Sequence, residues 1–166
     1  MKLTVKRIVY ASMLTALCCI ATMIIKIPSP LKGYLNLGDC VVLLSGFMLP
    51  PSYGFIAAGV GSAMADIFSG YVVYAPVTFI VKGVMALISN YGFKLLGKKL
   101  APISARIISA VIAESIMVLG YYVFEGFIYG FLPSVANIPA NMIQGIVGLV
   151  FGVLLTAFIE KQKNIL

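Results

Sequence analysis

Long apolar stretches, separated by short polar or proline-rich segments, dominate the pattern of this 166-residue chain. Such stretches predict membrane helices, and breaks such as the Pro-Pro-Ser segment at 50–52 separate one helix from the next. The predicted helices cover residues 8–25, 35–49, 53–68, 75–96, 103–124 and 135–158. The second stretch is the shortest, and it barely reaches the length of about 20 residues that a crossing needs. We expect an all-α integral membrane protein with six transmembrane helices in a single membrane domain over residues 1–166.

The composition strengthens this prediction and removes several classes of function. The chain is 61% hydrophobic and only 10% charged, whereas soluble domains carry about 25% charged residues, so a soluble enzyme is excluded. There is no His, and Cys18, Cys19 and Cys40 form no CxxC pair, so we expect no metal site. The chain also lacks a phosphate-binding Walker loop and a Gly-x-Ser-x-Gly elbow. We therefore expect no catalytic residue, no bound cofactor and no enzyme activity.

The distribution of basic residues predicts the orientation. Six crossings place both termini on one side, and nine of the twelve Lys and Arg residues then lie on that side. These are Lys2, Lys6, Arg7, Lys94, Lys98, Lys99, Arg106, Lys161 and Lys163. Because basic loops stay in the cytoplasm, both termini are expected there, in a bacterial plasma membrane, while Lys26 and Lys32 face outward. The basic residues are scattered between apolar segments, and this distribution is more typical of a membrane protein than of a nucleic-acid-binding surface. The segment Ala16-Leu17-Cys18 lacks a good signal-peptidase site, so the first helix is expected to be retained.

Polar residues inside the predicted helices are rare enough to be informative. A charge at the bilayer centre costs about 3 kcal/mol, so it usually faces a cavity or a partner. Counted along their helices, Asp66, Lys82, Glu114 and Asn141 lie in the outer half, and Gln144 lies one turn beyond Asn141. This placement favours a polar pocket that opens outward. The alternative is an ion pair, Lys82 with Glu114 or Lys82 with Asp66, that only holds helices together.

The predicted outer loops add further candidates. The segment 34–39 offers an aromatic ring, the amide of Asn36 and the carboxylate of Asp39 after a proline-rich stretch. Such a loop would close over a small polar ligand, although Asp39 would equally serve as a helix cap. The predicted substrate-binding residues are Asn36, Asp39, Asp66, Tyr74, Lys82, Glu114, Asn141 and Gln144.

Small residues on the first helix indicate a close helix contact. Ala11 and Thr15 are four residues apart, as are Ser12 and Ala16. This spacing lets two helix backbones approach closely. The contact is either packing within this chain or the docking of a separate membrane subunit.

Three segments together resemble the substrate-binding S component of energy-coupling factor (ECF) vitamin transporters. They are YLNLGD at 34–39, GVGSAMAD at 59–66 and PANMIQG at 139–145, and the resemblance extends over nearly the whole chain. It implies a six-helix bundle that captures a vitamin or precursor from outside. It also implies docking on a transmembrane coupling subunit and two ATPase subunits, which use ATP to drive release. The family's first helix usually carries an Ala-x-x-x-Ala motif. In this chain the corresponding pairs are Ser12 with Ala16 and Ala11 with Thr15, each with one alanine replaced.

The mixture of charged and amide groups predicts a heteroaromatic ligand with hydroxyl or amino substituents, best matched by a pyridoxine-like or hydroxymethylpyrimidine-like compound. Pantothenate, riboflavin, folate and thiamine remain open. The alternative function is a stand-alone secondary transporter or channel for a small polar solute.

Overall fold

The computed structural model describes residues 2–30 and 33–163, and most of these residues are helical. Lys32, predicted to face outward, lies outside the described residues, as do the side chains of Lys2 and Lys163. The elements in chain order are α1 Lys2–Ile24, β1 Ile27–Pro28, β2 Tyr34–Leu35, α2 Gly38–Met48, α3 Pro51–Phe68, α4 Ala75–Leu96, α5 Pro102–Tyr129, α6 Phe131–Ser134, a 3₁₀ turn Val135–Asn137 and α7 Ile138–Lys163.

Six of these helices run back and forth between two ends of a bundle. One end carries the antiparallel hairpin of β1 and β2, in which Ile27 pairs with Leu35, together with the turn at 69–74 and the short helix α6. We call it the hairpin end. The opposite end, the terminal end, holds the start of α1 and the end of α7. Within the described part of the chain, four segments are long and apolar enough to cross a membrane: Val5–Ile24, Ala75–Leu96, Pro102–Tyr129 and Phe131–Gln162.

The second helix differs from the predicted crossing. Residues 35–37 belong to the hairpin and its exit, so α2 has only 11 residues and a length of about 16 Å. Nine of its residues are buried, because α2 lies among α1, α3, α4 and α7 and has no face left for lipid. Its last carbonyls find a partner in α4, where Asn90 Nδ2 donates to the carbonyl oxygens of Gly46 and Leu49, each at 2.8 Å.

The other boundaries follow recognisable backbone signals. The predicted and observed bounds agree for α4. The fifth helix continues past the predicted end at 124 to Tyr129, and it stops where Gly130 takes a φ of +93° that ordinary residues rarely adopt. This extension carries Glu125 from the predicted loop into the helix. The last helix begins at Ile138 rather than 135, with Pro139 in its first turn, where a missing N–H does no harm.

Close backbone contacts hold α1 against α3. A Cβ added at Gly61 would lie 2.5 Å from the Thr15 carbonyl oxygen and 2.8 Å from Cys18 Cβ. Thr15 therefore belongs to the packed side of α1, while Ser12 and Ala16 lie on its exposed side. Only 11% of the first span is buried inside the bundle, so most of the α1 surface is left to lipid or to a partner.

Candidate ligand-binding site at the hairpin end

A cavity of about 30 Å³ lies between the hairpin and the neighbouring ends of α3, α4, α5 and α7. Aromatic, carboxylate and amide side chains surround it. Its lining consists of Ser29, Gly33, Tyr34, Asn36, Asp66, Tyr71, Tyr74, Thr78, Tyr121, Glu125, Asn141 and Gln144. Five of the eight predicted substrate-binding residues are in this set: Asn36, Asp66, Tyr74, Asn141 and Gln144.

One wall of the cavity is built on Asp66, near the end of α3. Tyr34 of the hairpin donates its hydroxyl to Asp66 Oδ1 at 2.7 Å. Burial, and then the negative charge of Asp66, raise the pKa of Tyr34 well above its usual range, so this hydroxyl stays a donor at neutral pH. The Tyr34 ring also packs on Tyr71, with centroids 4.7 Å apart. These contacts fasten the hairpin to the turn that follows α3.

The opposite wall is built on Glu125, in the last turns of α5. Tyr74 Oη donates to Glu125 Oε1 at 3.3 Å, and Asn137 Nδ2 donates to the same oxygen at 2.8 Å. Burial raises the pKa of Tyr74, so it too remains a donor. The side chain of Glu125 is only 2% exposed, and among the described residues its other oxygen, Oε2, has no hydrogen-bond partner. A buried carboxylate oxygen of this kind is costly unless something donates to it.

Gln144 connects the hairpin to a cluster beneath the cavity. The backbone N–H and the side-chain Nδ2 of Asn36 donate to Gln144 Oε1 at 3.0 and 3.3 Å. On its other side, Gln144 Nε2 donates to Asp39 Oδ2 at 2.7 Å. One amide side chain thus contacts both the hairpin and the buried interior.

The cluster itself corrects the predicted pairing of Lys82. Lys82 Nζ bonds to Asp39 Oδ1, and both side chains are buried, so its partner is neither Glu114 nor Asp66. Asp39 lies in the first turn of α2 and does not cap the helix; instead Asn36 Oδ1 accepts from the Gly38 N–H at 2.8 Å. Lys82 Nζ also lies 5.5 Å from the centre of the Tyr121 ring, which lines the cavity above. Asp39 and Lys82 therefore support the cavity from below.

Glu114 does not line the cavity. It faces α7, where a Cβ added at Gly145 would lie 3.2 Å from Glu114 Cβ and one at Gly148 would lie 2.8 Å from Oε1. Neither of its oxygens has a partner among the described residues. It lines an apolar groove of about 210 Å³ between α5 and α7, formed with residues such as Val111 and Ile146. Glu114 therefore does not line the hairpin-end cavity, but it borders the cluster beneath, because the same Cβ at Gly148 would lie 2.6 Å from Asp39 Cβ.

Sequence reasoning missed seven of the twelve cavity residues: Ser29, Gly33, Tyr34, Tyr71, Thr78, Tyr121 and Glu125. Tyr71, Tyr74 and Thr78 recur at a spacing of three and four residues, which places them on one face of the entry to α4. Tyr121 and Glu125 are four residues apart on α5 and share a face in the same way. This periodicity was the signal available. Tyr34 belongs to the quoted 34–39 segment but was not counted among the predicted site residues.

Of the two pairs of small residues on α1, one is accessible to another helix. Ser12 and Ala16 are exposed and border a shallow groove of about 410 Å³ that also includes Cys19 and Met64. Ala11 and Thr15 are half-buried, and Thr15 Oγ1 donates to the Ala11 carbonyl at 2.8 Å. Another helix could therefore pack against Ser12 and Ala16.

Comparison with known proteins places this arrangement in a family. The family model described as the ECF-type riboflavin transporter, S component, matches residues 2–161. A protein of Pyrococcus woesei, described as an uncharacterized protein in the gap 3′ region, is 34% identical over 152 residues, which cover 86% of this chain and 94% of the relative. A solved structure of the S component of a bacterial ECF transporter superposes with a TM-score of 0.77 and 27% identity, over 95% of this chain and 97% of the other.

Proposed function

The chain belongs to the ECF-type riboflavin transporter S component family, and on this premise we propose that it captures riboflavin in the hairpin-end cavity. As a member of this family it is a membrane protein and the substrate-binding subunit of an ECF transporter, not an enzyme. The finer proposal concerns the ligand, the residues that hold it and the direction in which it is delivered.

The observation that carries the proposal is the combination of rings and hydrogen-bonding groups around one cavity. Riboflavin presents a flat ring system with carbonyls and an N–H on one edge, and a chain of hydroxyl groups. The rings of Tyr34, Tyr71, Tyr74 and Tyr121 offer stacking surfaces, and Asn36 and Asn141 offer both donors and acceptors. Glu125 Oε2 offers an acceptor that a ligand hydroxyl or N–H would satisfy.

The cavity volume implies that binding requires the hairpin to move. A volume of about 30 Å³ holds only one or two water molecules, far less than a flavin. Within residues 27–30 and 33–36, the hairpin is tied to the helices by the hydrogen bonds of Tyr34 to Asp66 and of Asn36 to Gln144, and Ile27 on β1 is exposed. A two-residue-by-two-residue hairpin at the rim of a cavity is the part of the site best able to open and close.

The orientation and the partners are also part of the proposal. The excess of Lys and Arg at the terminal end supports cytoplasmic termini, so the hairpin would face outward and meet the vitamin first. The exposed Ser12 and Ala16 face of α1 would then dock on the transmembrane coupling subunit. Two ATPase subunits of the same module would use ATP to drive inward release.

A titration of the purified protein with riboflavin tests the ligand. We expect saturable quenching of flavin fluorescence with one site per chain, and we expect Asn141→Ala to weaken it at least tenfold. Gln162→Ala is the matched control, because Gln162 is an exposed amide at the terminal end of the same helix. Pyridoxine and hydroxymethylpyrimidine, the compounds best matched by the sequence pattern, serve as competitors. If neither compound displaces riboflavin, the result supports a flavin site. If the protein binds pyridoxine or hydroxymethylpyrimidine but not riboflavin, the result contradicts it.

Transport assays in vesicles test the docking face. Ser12→Leu should abolish ATP-dependent uptake by the complete transporter while riboflavin binding to the isolated subunit is unchanged. Ser115→Leu is the control, since Ser115 is an exposed serine on α5. Uptake by the subunit alone, without ATP or partners, would contradict the proposal and favour a stand-alone secondary transporter.

A further inference from the structure

The turn between α4 and α5, at the terminal end, is rich in lysine. Two backbone hydrogen bonds close it, from the N–H groups of Lys99 and Leu100 to the carbonyl oxygen of Leu96, each at 2.9 Å. Lys98 and Lys99 are exposed on this turn, and Lys94 is exposed in the last turn of α4. Three ammonium groups are therefore carried by six consecutive residues, on a backbone that is itself ordered.

These three lysines have no acidic partner. The two ion pairs within the described residues are Lys82 with Asp39, inside the bundle, and Arg106 with Glu160. All five acidic residues of the chain lie in its described part, and Glu160 is the only one of them at the terminal end. Because Glu160 is already paired with Arg106, the lysines of the turn form a positive surface without compensation.

Exposed apolar side chains lie beside the lysines along the chain. Leu95 is exposed in the last turn of α4, Leu100 in the connecting turn, and Ile103 in the first turn of α5. At a membrane surface, such side chains contact hydrocarbon while the ammonium groups of lysine reach the lipid headgroups. We call this set the α4–α5 surface; it consists of Lys94, Leu95, Lys98, Lys99, Leu100 and Ile103.

The α4–α5 surface lies away from the α1 face proposed to dock on the coupling subunit. In the bundle α1 packs on α3, α3 on α4 and α4 on α5, so two helices separate α1 from α5. A partner seated on Ser12 and Ala16 would leave the α4–α5 surface facing the bilayer. Its occupant is therefore to be sought among the lipids, and its positive charge selects an anionic one.

We propose that the α4–α5 surface binds an anionic phospholipid, with the phosphate at Lys98 and Lys99 and an acyl chain against Leu95, Leu100 and Ile103. An anionic lipid carries the two features that this surface complements, a negative headgroup and hydrocarbon directly beneath it. In phosphatidylcholine the choline cation cancels the charge of the phosphate. Each basic side chain near an anionic membrane surface contributes about fivefold to binding. The proposal goes beyond vitamin capture and does not depend on the ligand of the hairpin-end cavity.

Native mass spectrometry of the purified full chain tests the proposal. Dioleoyl phosphatidylglycerol and dioleoyl phosphatidylcholine, which share their acyl chains, are titrated separately, and the dissociation constant of the first bound lipid is compared. We expect phosphatidylglycerol to bind the wild-type protein at least tenfold more tightly, and we expect added salt to reduce this preference. In Lys98→Gln/Lys99→Gln the preference should narrow to about twofold with an unchanged thermal midpoint, because both side chains are exposed.

A second double variant is the matched control. Lys6→Gln/Arg7→Gln removes the same charge at the same end of the bundle, but from α1, where both residues are exposed. The preference for phosphatidylglycerol should survive in this variant. Leu100→Ser keeps every cation and should weaken the binding of both lipids, which a site for phosphate alone would not produce.

The remaining outcomes overturn the proposal. Equal binding of the two lipids by the wild-type protein contradicts it, and so does an equal loss of preference in the two double variants. Displacement of bound phosphatidylglycerol by glycerol 3-phosphate would indicate a site for phosphate without the acyl chain. If Lys98→Gln/Lys99→Gln keeps the lipid preference but no longer assembles with the coupling and ATPase subunits, the surface is a protein contact instead. Riboflavin binding is measured separately, and its failure would affect the proposed function alone.

Discussion

The hairpin-end cavity and the cluster beneath it both contain buried carboxylates, but they satisfy them differently. Asp39 in the cluster has a partner on each oxygen, Lys82 on one and Gln144 on the other. Glu125 in the cavity has two donors on one oxygen and none, among the described residues, on the other. A carboxylate with complete pairing holds helices in place, whereas one with an open acceptor leaves a position for a ligand donor.

This difference explains why two sets of polar residues occur at neighbouring depths of one bundle. The cluster joins α2, α4 and α7 through side chains that are fully paired. The cavity above it draws on the hairpin and on α3, α4, α5 and α7, and its groups are only partly paired. Gln144 belongs to both regions, because its side-chain amide bonds to Asn36 of the hairpin and to Asp39 of the cluster. A movement of the hairpin would therefore act on the cluster through this one side chain. The following substitutions act on each region in turn.

The largest effect is expected from Lys82→Ala, which breaks the cluster. It leaves Asp39 buried without its cation, and removing one partner of a buried ion pair costs about 3–5 kcal/mol. We expect a large fall in the thermal midpoint of the purified protein and in its yield. Lys26→Ala is the control, because Lys26 is exposed and should change stability by less than about 0.5 kcal/mol. A Lys82→Ala protein with wild-type stability would show that the pair is not structural.

Replacing a glycine of α7 by alanine tests how tightly α7 packs against the same cluster. A Cβ at Gly148 would lie 2.6 Å from Asp39 Cβ, whereas one at Gly145 would lie 3.2 Å from its nearest neighbour, Glu114 Cβ. Gly148→Ala should therefore destabilise the protein by about 1–3 kcal/mol, because overpacking forces helices apart. Gly145→Ala should cost less. Thermal denaturation of the two variants side by side measures the difference, and the reverse order would contradict this packing.

Gln144→Ala removes the link between the two regions. It deprives Asn36 of its acceptor and Asp39 of a donor, and leaving buried polar groups unpaired costs about 1–3 kcal/mol. Both stability and riboflavin affinity should fall, which distinguishes this variant from those that affect one region. Gln162→Ala again provides the control. A loss of affinity with unchanged stability would mean that Gln144 acts in the cavity alone.

The smallest effect is expected from Tyr34→Phe, which loosens the cavity without touching the cluster. It keeps the ring on Tyr71 but removes the donor to Asp66, a change of about 1 kcal/mol or roughly fivefold in affinity. We expect faster riboflavin dissociation with little change in the thermal midpoint. Tyr91→Phe is the control, since Tyr91 is exposed on α4. Unchanged dissociation would mean that the Tyr34 hydroxyl does not hold the hairpin closed.

Much of this arrangement could be predicted from polar residues that interrupt apolar helices. Asp66, Asn141 and Gln144 were expected at one end because their positions along predicted helices gave their depth. The partner of Lys82 could not be obtained in this way. It depends on the short helix α2, which has nine of its eleven residues buried and brings Asp39 level with Lys82 on α4. No local sequence pattern indicates this length or this burial.

Glu125 and three of the four cavity tyrosines, Tyr34, Tyr71 and Tyr121, were missed for a different physical reason. A carboxylate after an apolar stretch is typical of a loop, yet the helix continues to Gly130, where the backbone changes conformation. The tyrosines look like ordinary membrane-interface residues until the fold brings four of them around one cavity. The mixture of charged and amide groups favoured a pyridoxine-like or pyrimidine-like ligand, whereas the family and the ring-lined cavity favour riboflavin.

The structure of the protein with riboflavin bound tests the central claim most directly. The account predicts the flavin beneath the hairpin, between the ends of α3, α4, α5 and α7, with a ligand hydroxyl or N–H within hydrogen-bond distance of Glu125 Oε2. It also predicts that the Lys82 to Asp39 pair is unchanged. A flavin in the groove between α5 and α7, or a Glu125 carboxylate that no ligand atom contacts, would contradict it.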